Sequence, residues 1–451
     1  MEPTNIRFGG GASGTVLHPL VAIALVVAVV LLFAWPRSRL VGPLFAMVFL
    51  VPFGQVLVLG GIHLTVYRMV ILCGLARLAV TGRESQSGRL AGGFTSIDRI
   101  FTIWAIAYCV ANSLQWMDTQ ALIKNLGSLL DALGGYFVLR FAIADADDVL
   151  HAIQVLAVIA VIMAMFMTNE QVTHDNVFGM LGGIPRDVAV REGRARSCGA
   201  FEVYITAGVF GATLLPLFVW LWASGRSKVG ACLGMLGGAV IAVTSNASTS
   251  LLACAAAVLA FCFWPLRKSM RAVRWVLVAS LVGLHLVMKA PVWALIARVD
   301  LTGSSSGFHR YMLVDGCIRH FTDWWLMGVR NYDTWGWDMW DLSNQYVAYA
   351  LTGGLVTLAA FVLIISRSFG RLGTARKLAA GDAKQEWFLW CLCAALLGHV
   401  VAYFGIGYFD QMQFAWYALL AMISVAGAGG KSVDAVSNED AVVSSYEYAQ
   451  S

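Results

Sequence analysis

The feature of this sequence that most limits its fold is a nearly unbroken series of apolar segments, each about 20 residues long. A helix of that length crosses the hydrocarbon core of a bilayer. Only 13% of the 451 residues are charged, about half the share found in soluble domains. We therefore predict an all-α, polytopic transmembrane helix bundle with about 12–13 spans. The candidate spans lie near residues 16–35, 40–59, 62–80, 98–114, 121–143, 149–167, 201–223, 229–245, 248–264, 274–291, 344–365, 387–405 and 412–428.

The chain is predicted to form one integral-membrane domain over residues 1–428, followed by a polar tail, 429–451, that we expect to be disordered and cytoplasmic. The short connections rich in Arg and Lys all fall on one side of the predicted bundle. The positive-inside rule places that side in the cytoplasm and the N-terminus outside. The two longest connections, 168–200 and 292–343, are then predicted to lie outside.

These two outer loops are unusual in carrying eight arginines and no lysine. A guanidinium group binds phosphate or carboxylate with a fork of donors, which an ammonium group lacks. The arginines therefore predict an outward-facing anion site. Alternatively, they are solvated or paired with acidic residues of the same loops. They are Arg186, Arg191, Arg194, Arg196, Arg298, Arg310, Arg319 and Arg330.

The second outer loop also interleaves aromatic rings with carboxylates and amides. Its residues include Trp335, Trp337 and Trp340, with Asp341 and Asn344 close by. Rings stack on the apolar faces of sugars, and polar side chains bind the hydroxyls. The loop thus predicts a sugar-binding cleft, although tryptophans at a membrane edge also serve as interfacial contacts.

Five ionisable residues fall near or inside predicted spans, where such groups are usually paired or functional. Arg68 and Asp131 lie deep enough to form a buried ion pair, or to act on lipid phosphate or protons. Lys124 and Arg140 lie near span ends and are expected to extend outward. The fifth residue is His285.

Most of the nine cysteines lie in apolar spans and are predicted to be buried thiols. Cys391 and Cys393 have no neighbouring His or further Cys, so they do not predict a metal site. Cys198 and Cys317 lie in the two outer loops. There a disulfide and two free thiols remain alternatives.

Several stretches resemble the O-antigen ligase and polymerase superfamily of polysaccharide assembly. Residues 307–310 precede an amphipathic helix that leads into 325–328, similar to the Arg-led helix and following turn of that superfamily. Residues 196–201, with Pro216 further along, resemble its Arg-x-x-Gly-x-Phe start of a middle span.

A further part of the resemblance begins the next predicted span. Asn344 and Tyr346, followed by 353–355, are similar to the superfamily's Asn-x-Tyr-Leu motif. Its ligases typically carry a histidine directly before this motif, where the present chain has Ser343. The chain is therefore more similar to exopolysaccharide polymerases than to lipid-A-core ligases, and the ligase histidine has no counterpart at this position.

The resemblance implies a GT-C-like glycosyltransferase in a bacterial inner (cytoplasmic) membrane, with its active site facing the periplasm. Members move a glycan from undecaprenyl pyrophosphate to a hydroxyl of an acceptor glycan, and the lipid pyrophosphate leaves. The resemblance implies no metal and no organic cofactor, and a chain-length co-polymerase is a typical partner. Membrane lipids surround such a protein, and its charges do not predict nucleic-acid binding. Two alternatives stay open, a flippase for lipid-linked sugars and a non-catalytic scaffold of a polysaccharide export complex.

The resemblance, together with the residue types in the two predicted outer loops, predicts roles for individual residues. Arg196 and Arg310 are the first candidates to bind the diphosphate, and Arg298 and Arg330 are further candidates. Guanidinium groups would neutralise the charge that develops on the leaving oxygen.

The base that accepts the proton of the acceptor hydroxyl is predicted to be Asp341 or His309. Asp341 would share a helix face with Asn344, or it would only cap that helix. His309 is otherwise a surface residue of the loop. The residues predicted to contact sugar are Trp335, Trp337, Trp340, Asn344 and Tyr346.

Overall fold

The computed structural model describes residues 14–59, 62–81, 90, 92–298, 307–336 and 338–427. Within these residues the chain is a bundle of α-helices with two short β-hairpins. Of the described helices, six are long and apolar enough to cross a membrane. The predicted multi-pass helical bundle is therefore confirmed, whereas its larger number of spans stays a prediction. The predicted tail, 429–451, lies outside the described residues.

The helices follow one another along the chain, and most of their connections are short. In chain order they are α1 Pro19–Ala34, α2 Val41–Phe49, α3 Val66–Thr81, α4 Ser96–Trp116, α5 Thr119–Ala142, α6 Ala146–Thr173, α7 Tyr204–Ser224, α8 Lys228–Thr244, α9 Ser248–Cys262, α10 Met270–Val287, α11 Gly307–Arg319, α12 Phe321–Trp324, α13 Gln345–Leu378, α14 Ala383–Ala402 and α15 Asp410–Ala426. The antiparallel hairpins are formed by β1 Val56–Leu59 with β2 Ile62–Thr65, and by β3 Ala189–Arg191 with β4 Arg194–Arg196.

The centre of the bundle is α15, in which nearly every residue is buried. Its aromatic side chains meet those of neighbouring helices edge to face, an arrangement that aromatic quadrupoles favour. The Phe414 ring lies 6.2 Å from Phe49 and 5.6 Å from Tyr67. The Tyr417 ring lies 5.2 Å from Phe101. These contacts join α15 to α2, α3 and α4.

The predicted span 40–59 is not one helix, so this prediction is wrong. α2 ends at Phe49 after nine residues, about 14 Å of helix. Pro52 follows, and the residue before a proline is disfavoured in the helical conformation, so the chain continues extended into β1. Such backbone is tolerated at membrane depth when protein surrounds it. Phe45 and Phe49 are fully buried.

The two ends of the bundle carry different structures. Arg37 pairs with Asp145 and Asp148 at the start of α6, each over 3.2 Å. Beyond the other end of α6, Gln55 donates to the backbone carbonyls of Leu181 and Gly182. We call the first end the basic face. We call the second end the loop face, since it holds both hairpins and the first of the two loops that were predicted to lie outside. α6 has 28 residues and is about 42 Å long.

Two ion pairs lie inside the bundle. Arg68 donates to both carboxylate oxygens of Asp131, over 2.9 and 2.6 Å, which confirms the predicted pairing. Arg140 donates to Asp98 over 3.0 Å, and both side chains are fully buried. Asp98 also accepts from the Tyr136 hydroxyl. The expectation that Arg140 extends outward is wrong, because α4 places a carboxylate directly opposite it.

The other two ionisable residues of the predicted spans are on the surface. Lys124 is exposed in the first turns of α5. His285 is exposed in the last turn of α10, where its Nδ1 accepts from the Val292 amide over 3.2 Å. α10 itself has no buried residue. Neither residue therefore forms a polar site inside the bundle.

The long helix α13 is interrupted at Gly354, which has φ +71° and ψ −174°. In a regular helix the Leu355 amide would donate to the Leu351 carbonyl. Instead the Leu355 amide donates to the Trp325 carbonyl, and the Val329 amide donates to the Leu351 carbonyl, both over 2.8 Å. The turn at 325–328 of the second outer loop thus docks into the break in α13.

Candidate functional site

Arg196 and Arg310 are the two arginines that the sequence placed first as diphosphate ligands. Both lie on the loop face, Arg196 against Tyr204 and Arg310 against the start of α9. The Arg196 guanidinium lies over the Tyr204 ring, with Cζ 4.6 Å from the centroid, and donates to the Tyr204 hydroxyl. Arg310 lies in the first turn of α11 and donates from Nη2 to the Thr249 hydroxyl over 3.3 Å. Tyr204 also contributes, after burial and Asp341, to the pKa of the Arg310 guanidinium. We call Arg196, Tyr204, Thr249 and Arg310 the arginine cluster.

The local sequence explains how Arg196 reaches this position. Glu192 and Gly193 at the tip of the β3–β4 hairpin both have positive φ, 54° and 72°. Two successive positive φ values are typical of tight two-residue hairpins, and glycine adopts them without strain. The hairpin end is held by Asn246, whose Nδ2 donates to the Ala195 carbonyl over 2.6 Å. Asn246 belongs to the α8–α9 turn, so this bond brings β4 next to Thr249.

Arg310 is a buried cation with an unused donor. Its residue exposure is 9%, and burial lowers the pKa of its guanidinium, whereas the Asp341 charge raises it. An arginine pKa begins so far above neutrality that the group stays charged. In the described part of the chain, its buried Nε has no hydrogen-bond acceptor. A buried, incompletely satisfied guanidinium is suited to binding an anion.

His309 precedes Arg310 and is buried, with 4% exposure. Its Nε2 lies 2.8 Å from the Asp338 carbonyl, which can only accept. Nε2 must therefore carry the proton, and Nδ1 is the acceptor nitrogen of the neutral ring. Nδ1 lies 3.5 Å from the Ser343 hydroxyl. The ring is thus oriented with its basic nitrogen toward the start of α13.

The start of α13 contradicts one expectation about Asp341. The helix begins at Gln345 and is capped by Asn344, whose Oδ1 accepts from the Tyr346 and Val347 amides over 3.0 and 3.2 Å. Asp341 therefore lies before the helix, neither on its face nor at its cap. Asp341 is exposed, whereas Asn344 is 1% exposed. In the described residues the buried Asn344 Nδ2 has no hydrogen-bond partner.

The two further arginine candidates have surroundings different from those of Arg196 and Arg310. Arg330 is exposed, and its guanidinium lies 4.1 Å above the Trp116 ring at the end of α4. Arg298 is exposed at the end of a short 3₁₀ turn, Val292–Arg298, that packs against α11. Both are therefore exposed, whereas Arg196 and Arg310 are buried.

The predicted sugar-binding aromatic residues are spread over different surroundings. Trp335 stacks on His320 with 4.3 Å between centroids and an angle of 7°. Trp340 is 71% exposed. Tyr346 is half-buried in the bundle and donates to the Val400 carbonyl over 3.2 Å. Trp337 lies outside the described residues. Only Trp340 therefore presents a large free ring surface among the described candidates.

Tyr204 and Thr249 were not predicted from the sequence. The run 244–250 contains Thr, Ser and Asn at six of its seven positions between two apolar segments. Such a run, predicted to lie on the outer side, is a signal that could have pointed to Thr249. Tyr204 had no comparable signal, because it lies at the edge of an apolar span. Its role follows from the hairpin that brings Arg196 over its ring.

Two carboxyl groups lie beside the arginine cluster. Glu202 lies two residues before Tyr204, and Asp410 lies at the start of α15. Burial, together with the nearby Glu202 carboxylate, raises the pKa of Asp410 to about 8. Gln411 Nε2 donates to the Ala200 carbonyl over 2.8 Å and holds the two segments together.

The two outer-loop cysteines do not form a disulfide. Cys198 and Cys317 are both free thiols. Burial raises the pKa of each thiol to about 12, and for Cys198 the Glu170 carboxylate adds to this effect. Both groups are therefore protonated and unreactive at neutral pH.

Among the described residues, no group of three or more His, Cys, Asp or Glu side chains is placed to hold a metal ion. A scan against models of known protein families finds no match to this chain, and a search of curated proteins finds no match either. We therefore infer function from the residues and contacts of this chain itself.

Proposed function

We propose that this protein is a membrane-embedded glycosyltransferase that moves a glycan from a polyprenyl diphosphate to a hydroxyl of an acceptor sugar. One observation carries the proposal. The buried guanidinium of Arg310, whose Nε lacks an acceptor within the described residues, lies in one cluster with Arg196. A diphosphate supplies both the negative charge and the acceptor oxygens that Arg310 lacks.

In this reaction the acceptor hydroxyl oxygen attacks the anomeric carbon of the donor glycan. The bond from that carbon to the diphosphate oxygen breaks, and the polyprenyl diphosphate leaves with the bonding electrons. Arg310 and Arg196 stabilise the charge that grows on the leaving oxygen. Because diphosphate is already a good leaving group, the mechanism needs no strong acid to protonate it.

The proton of the acceptor hydroxyl passes to His309 Nδ1 in this mechanism. The bond from Nε2 to the Asp338 carbonyl supports this role, since it fixes the tautomer in which Nδ1 is basic. Asp341 was placed first from the sequence, but it is exposed and lies before α13. We therefore assign Asp341 to the charge balance of Arg310, on which its carboxylate acts.

Asn344 and Ser343 are proposed to hold the acceptor sugar. The Asn344 Nδ2 is a buried donor without a partner in the described chain, while its Oδ1 is used by the cap of α13. A sugar hydroxyl would satisfy this donor. Trp340, next to them in the sequence and 71% exposed, is proposed to stack on a sugar face.

The same proposal extends to family and location. Turn 325–328 docks into the break at Gly354. This contact supports the proposal, because it joins two stretches that resemble motifs of the O-antigen ligase and polymerase superfamily. We propose a GT-C-like polymerase of that kind in a bacterial inner membrane, with the loop face in the periplasm. Its donor is undecaprenyl-pyrophosphate-linked oligosaccharide, and a chain-length co-polymerase is a proposed partner.

The flippase alternative is less well supported. A flippase requires charged groups that line a path through the membrane. Two pairs of ionised residues described inside this bundle instead neutralise each other, Arg68 with Asp131 and Arg140 with Asp98. The scaffold alternative makes no demand on Arg310, so a change at that residue separates it from the enzyme.

The test is to delete the gene from its host, restore it as variants and analyse lipid-linked saccharides. Cells that carry Arg310→Gln are expected to accumulate single lipid-linked repeats and to lack long polymer. The matched control is Arg319→Gln on the same helix, because Arg319 is exposed and pairs only with Asp315 in the described chain. The control is expected to restore polymer.

Other outcomes of this experiment contradict part or all of the proposal. Polymer that forms but is not attached to its acceptor indicates a ligase, which rejects the polymerase assignment but keeps the glycan transfer. Repeats that accumulate only on the cytoplasmic side indicate a flippase. Full restoration by Arg310→Gln at normal membrane level indicates a scaffold.

A further inference from the structure

A second candidate binding site lies on the basic face, at the opposite end of the bundle from the arginine cluster. It is a cavity of about 310 Å³ between the starts of α6 and α14 and the end of α7. α7 begins at Tyr204 in the arginine cluster and ends at Ser224 in the wall of the cavity. Its 21 residues separate the two sites by about 32 Å. No step of the proposed reaction uses this cavity.

The cavity wall carries two cations and one carboxylate. Arg226 and Lys384 line it together with Asp147. All three are exposed, and within the described residues none of them forms an ion pair. Elsewhere on the same face, Arg267 is neutralised by Glu386 over 2.8 Å. The charges of the cavity are thus available to a ligand that carries both signs.

The rest of the wall is apolar and aromatic. The Trp220 and Phe388 rings lie 4.6 Å apart, and Trp387 and Leu150 extend the same surface. Tryptophan is enriched at the level of lipid headgroups, where one side of the ring is apolar and the other is wet. The cavity therefore combines an apolar, aromatic wall with charges suited to a headgroup.

We propose that this cavity binds a phospholipid whose phosphate is linked to a primary ammonium group, the phosphatidylethanolamine class. The phosphate accepts hydrogen bonds from Arg226 and Lys384, the ammonium group donates to Asp147, and the acyl chains leave across the aromatic wall. A purely anionic headgroup would place its charge beside Asp147. Free phosphate would leave the aromatic wall in contact with water. The proposal concerns the basic face alone and holds whichever reaction takes place at the loop face.

The experiment uses the full-length protein purified in detergent. Dihexanoyl phosphatidylethanolamine, phosphatidylglycerol, phosphatidylcholine and inorganic phosphate are titrated separately, and binding is followed by melting temperature and by native mass spectrometry. The test variant combines Arg226→Gln with Lys384→Gln. The matched control combines Lys228→Gln with Lys377→Gln, which removes the same charge from exposed positions outside the cavity wall.

Phosphatidylethanolamine is expected to bind the wild type and the control alike, and to bind the test variant at least about tenfold more weakly. Asp147→Asn is expected to weaken phosphatidylethanolamine binding without weakening phosphatidylglycerol binding. Because all these side chains are exposed, melting temperatures without lipid should match the wild type. Equal affinity in the test variant would overturn the proposal. So would phosphatidylglycerol, phosphatidylcholine or inorganic phosphate binding as tightly as phosphatidylethanolamine.

Discussion

Arg310 donates a hydrogen bond from Nη2 to the Thr249 hydroxyl over 3.3 Å, which joins the outer helix α11 to the start of α9. Thr249 in turn donates to the Gly405 carbonyl over 3.4 Å, in the connection between α14 and α15. The guanidinium is therefore held by a threonine that is itself fixed by the backbone. A cation that is oriented before substrate arrives can stabilise a leaving group without reorganising during the reaction.

The identity of the base can be tested by two single variants. His309→Gln keeps a donor toward the Asp338 carbonyl but removes the basic nitrogen, so the transfer rate is expected to fall about 10²–10⁴-fold. Asp341→Asn removes only a charge from an exposed residue and is expected to cost less than about tenfold. Initial rates of glycan transfer measure both. The reverse order of the two effects would return the role of base to Asp341.

The break in α13 requires glycine at position 354. With φ +71° and ψ −174°, this residue has a conformation that is essentially restricted to glycine, and an added Cβ would lie 2.7 Å from the Leu326 carbonyl oxygen. Gly354→Ala is therefore expected to destabilise the protein by about 1–3 kcal/mol and to lower its melting temperature. Gly373→Ala in the same helix meets open space and should not lower it. Equal melting temperatures for the two variants would contradict this account of the break.

The Cys198 thiol offers a test that depends on pH. Its pKa is raised to about 12, chiefly by burial, so the reactive thiolate becomes more abundant about tenfold per pH unit between pH 8 and 11. In a variant with Cys198 as its only cysteine, the rate of alkylation should rise over this whole range. An ordinary thiol would level off above its own pKa, near 8.5. A plateau below pH 10 would contradict the burial of this thiol.

The pair of Arg140 and Asp98 is expected to be essential for stability. Arg140→Met leaves a fully buried carboxylate without its cation, which typically costs about 3–5 kcal/mol. Adding Asp98→Asn to Arg140→Met should recover part of the lost stability, because it removes the uncompensated negative charge of the buried carboxylate. Melting temperatures of the single and double variants measure this coupling. Arg186→Met, which removes a highly exposed pair with Asp175, serves as control and should leave stability unchanged. A double variant less stable than Arg140→Met would contradict the account.

Much of the fold followed from the sequence because apolar length alone identifies most helices of a membrane bundle. The prediction of a single helical span over 40–59, where α2 ends at Phe49, was wrong for a physical reason. Hydropathy does not distinguish a lipid-facing helix from an extended segment that is buried by protein. The Arg140 side chain was wrongly predicted to extend outward for a related reason. Its partner Asp98 lies on a different helix, and no local sequence pattern relates the two residues.

The candidate site was predictable in composition but not in geometry. The preference for Arg over Lys in the predicted outer loops identified Arg196 and Arg310, which both lie on the loop face, one against Tyr204 and the other against Thr249. The same preference also named Arg330, which instead stacks on Trp116, because residue type does not determine which way a loop folds. Asp341 was predicted to lie on or to cap the same helix as Asn344, but that helix begins only at Gln345.

The most direct test of the central claim is the rate at which the purified protein in proteoliposomes releases polyprenyl diphosphate from a lipid-linked glycan. We expect Arg310→Gln to lower this rate about 10²–10³-fold, as the loss of a group that stabilises developing negative charge does in other enzymes. Arg319→Gln, on the same helix, should stay within about twofold of the wild type, because its ion pair is exposed. If Arg310→Gln also stays within about twofold while the protein remains folded, the arginine cluster does not bind the leaving diphosphate and the proposed reaction is contradicted.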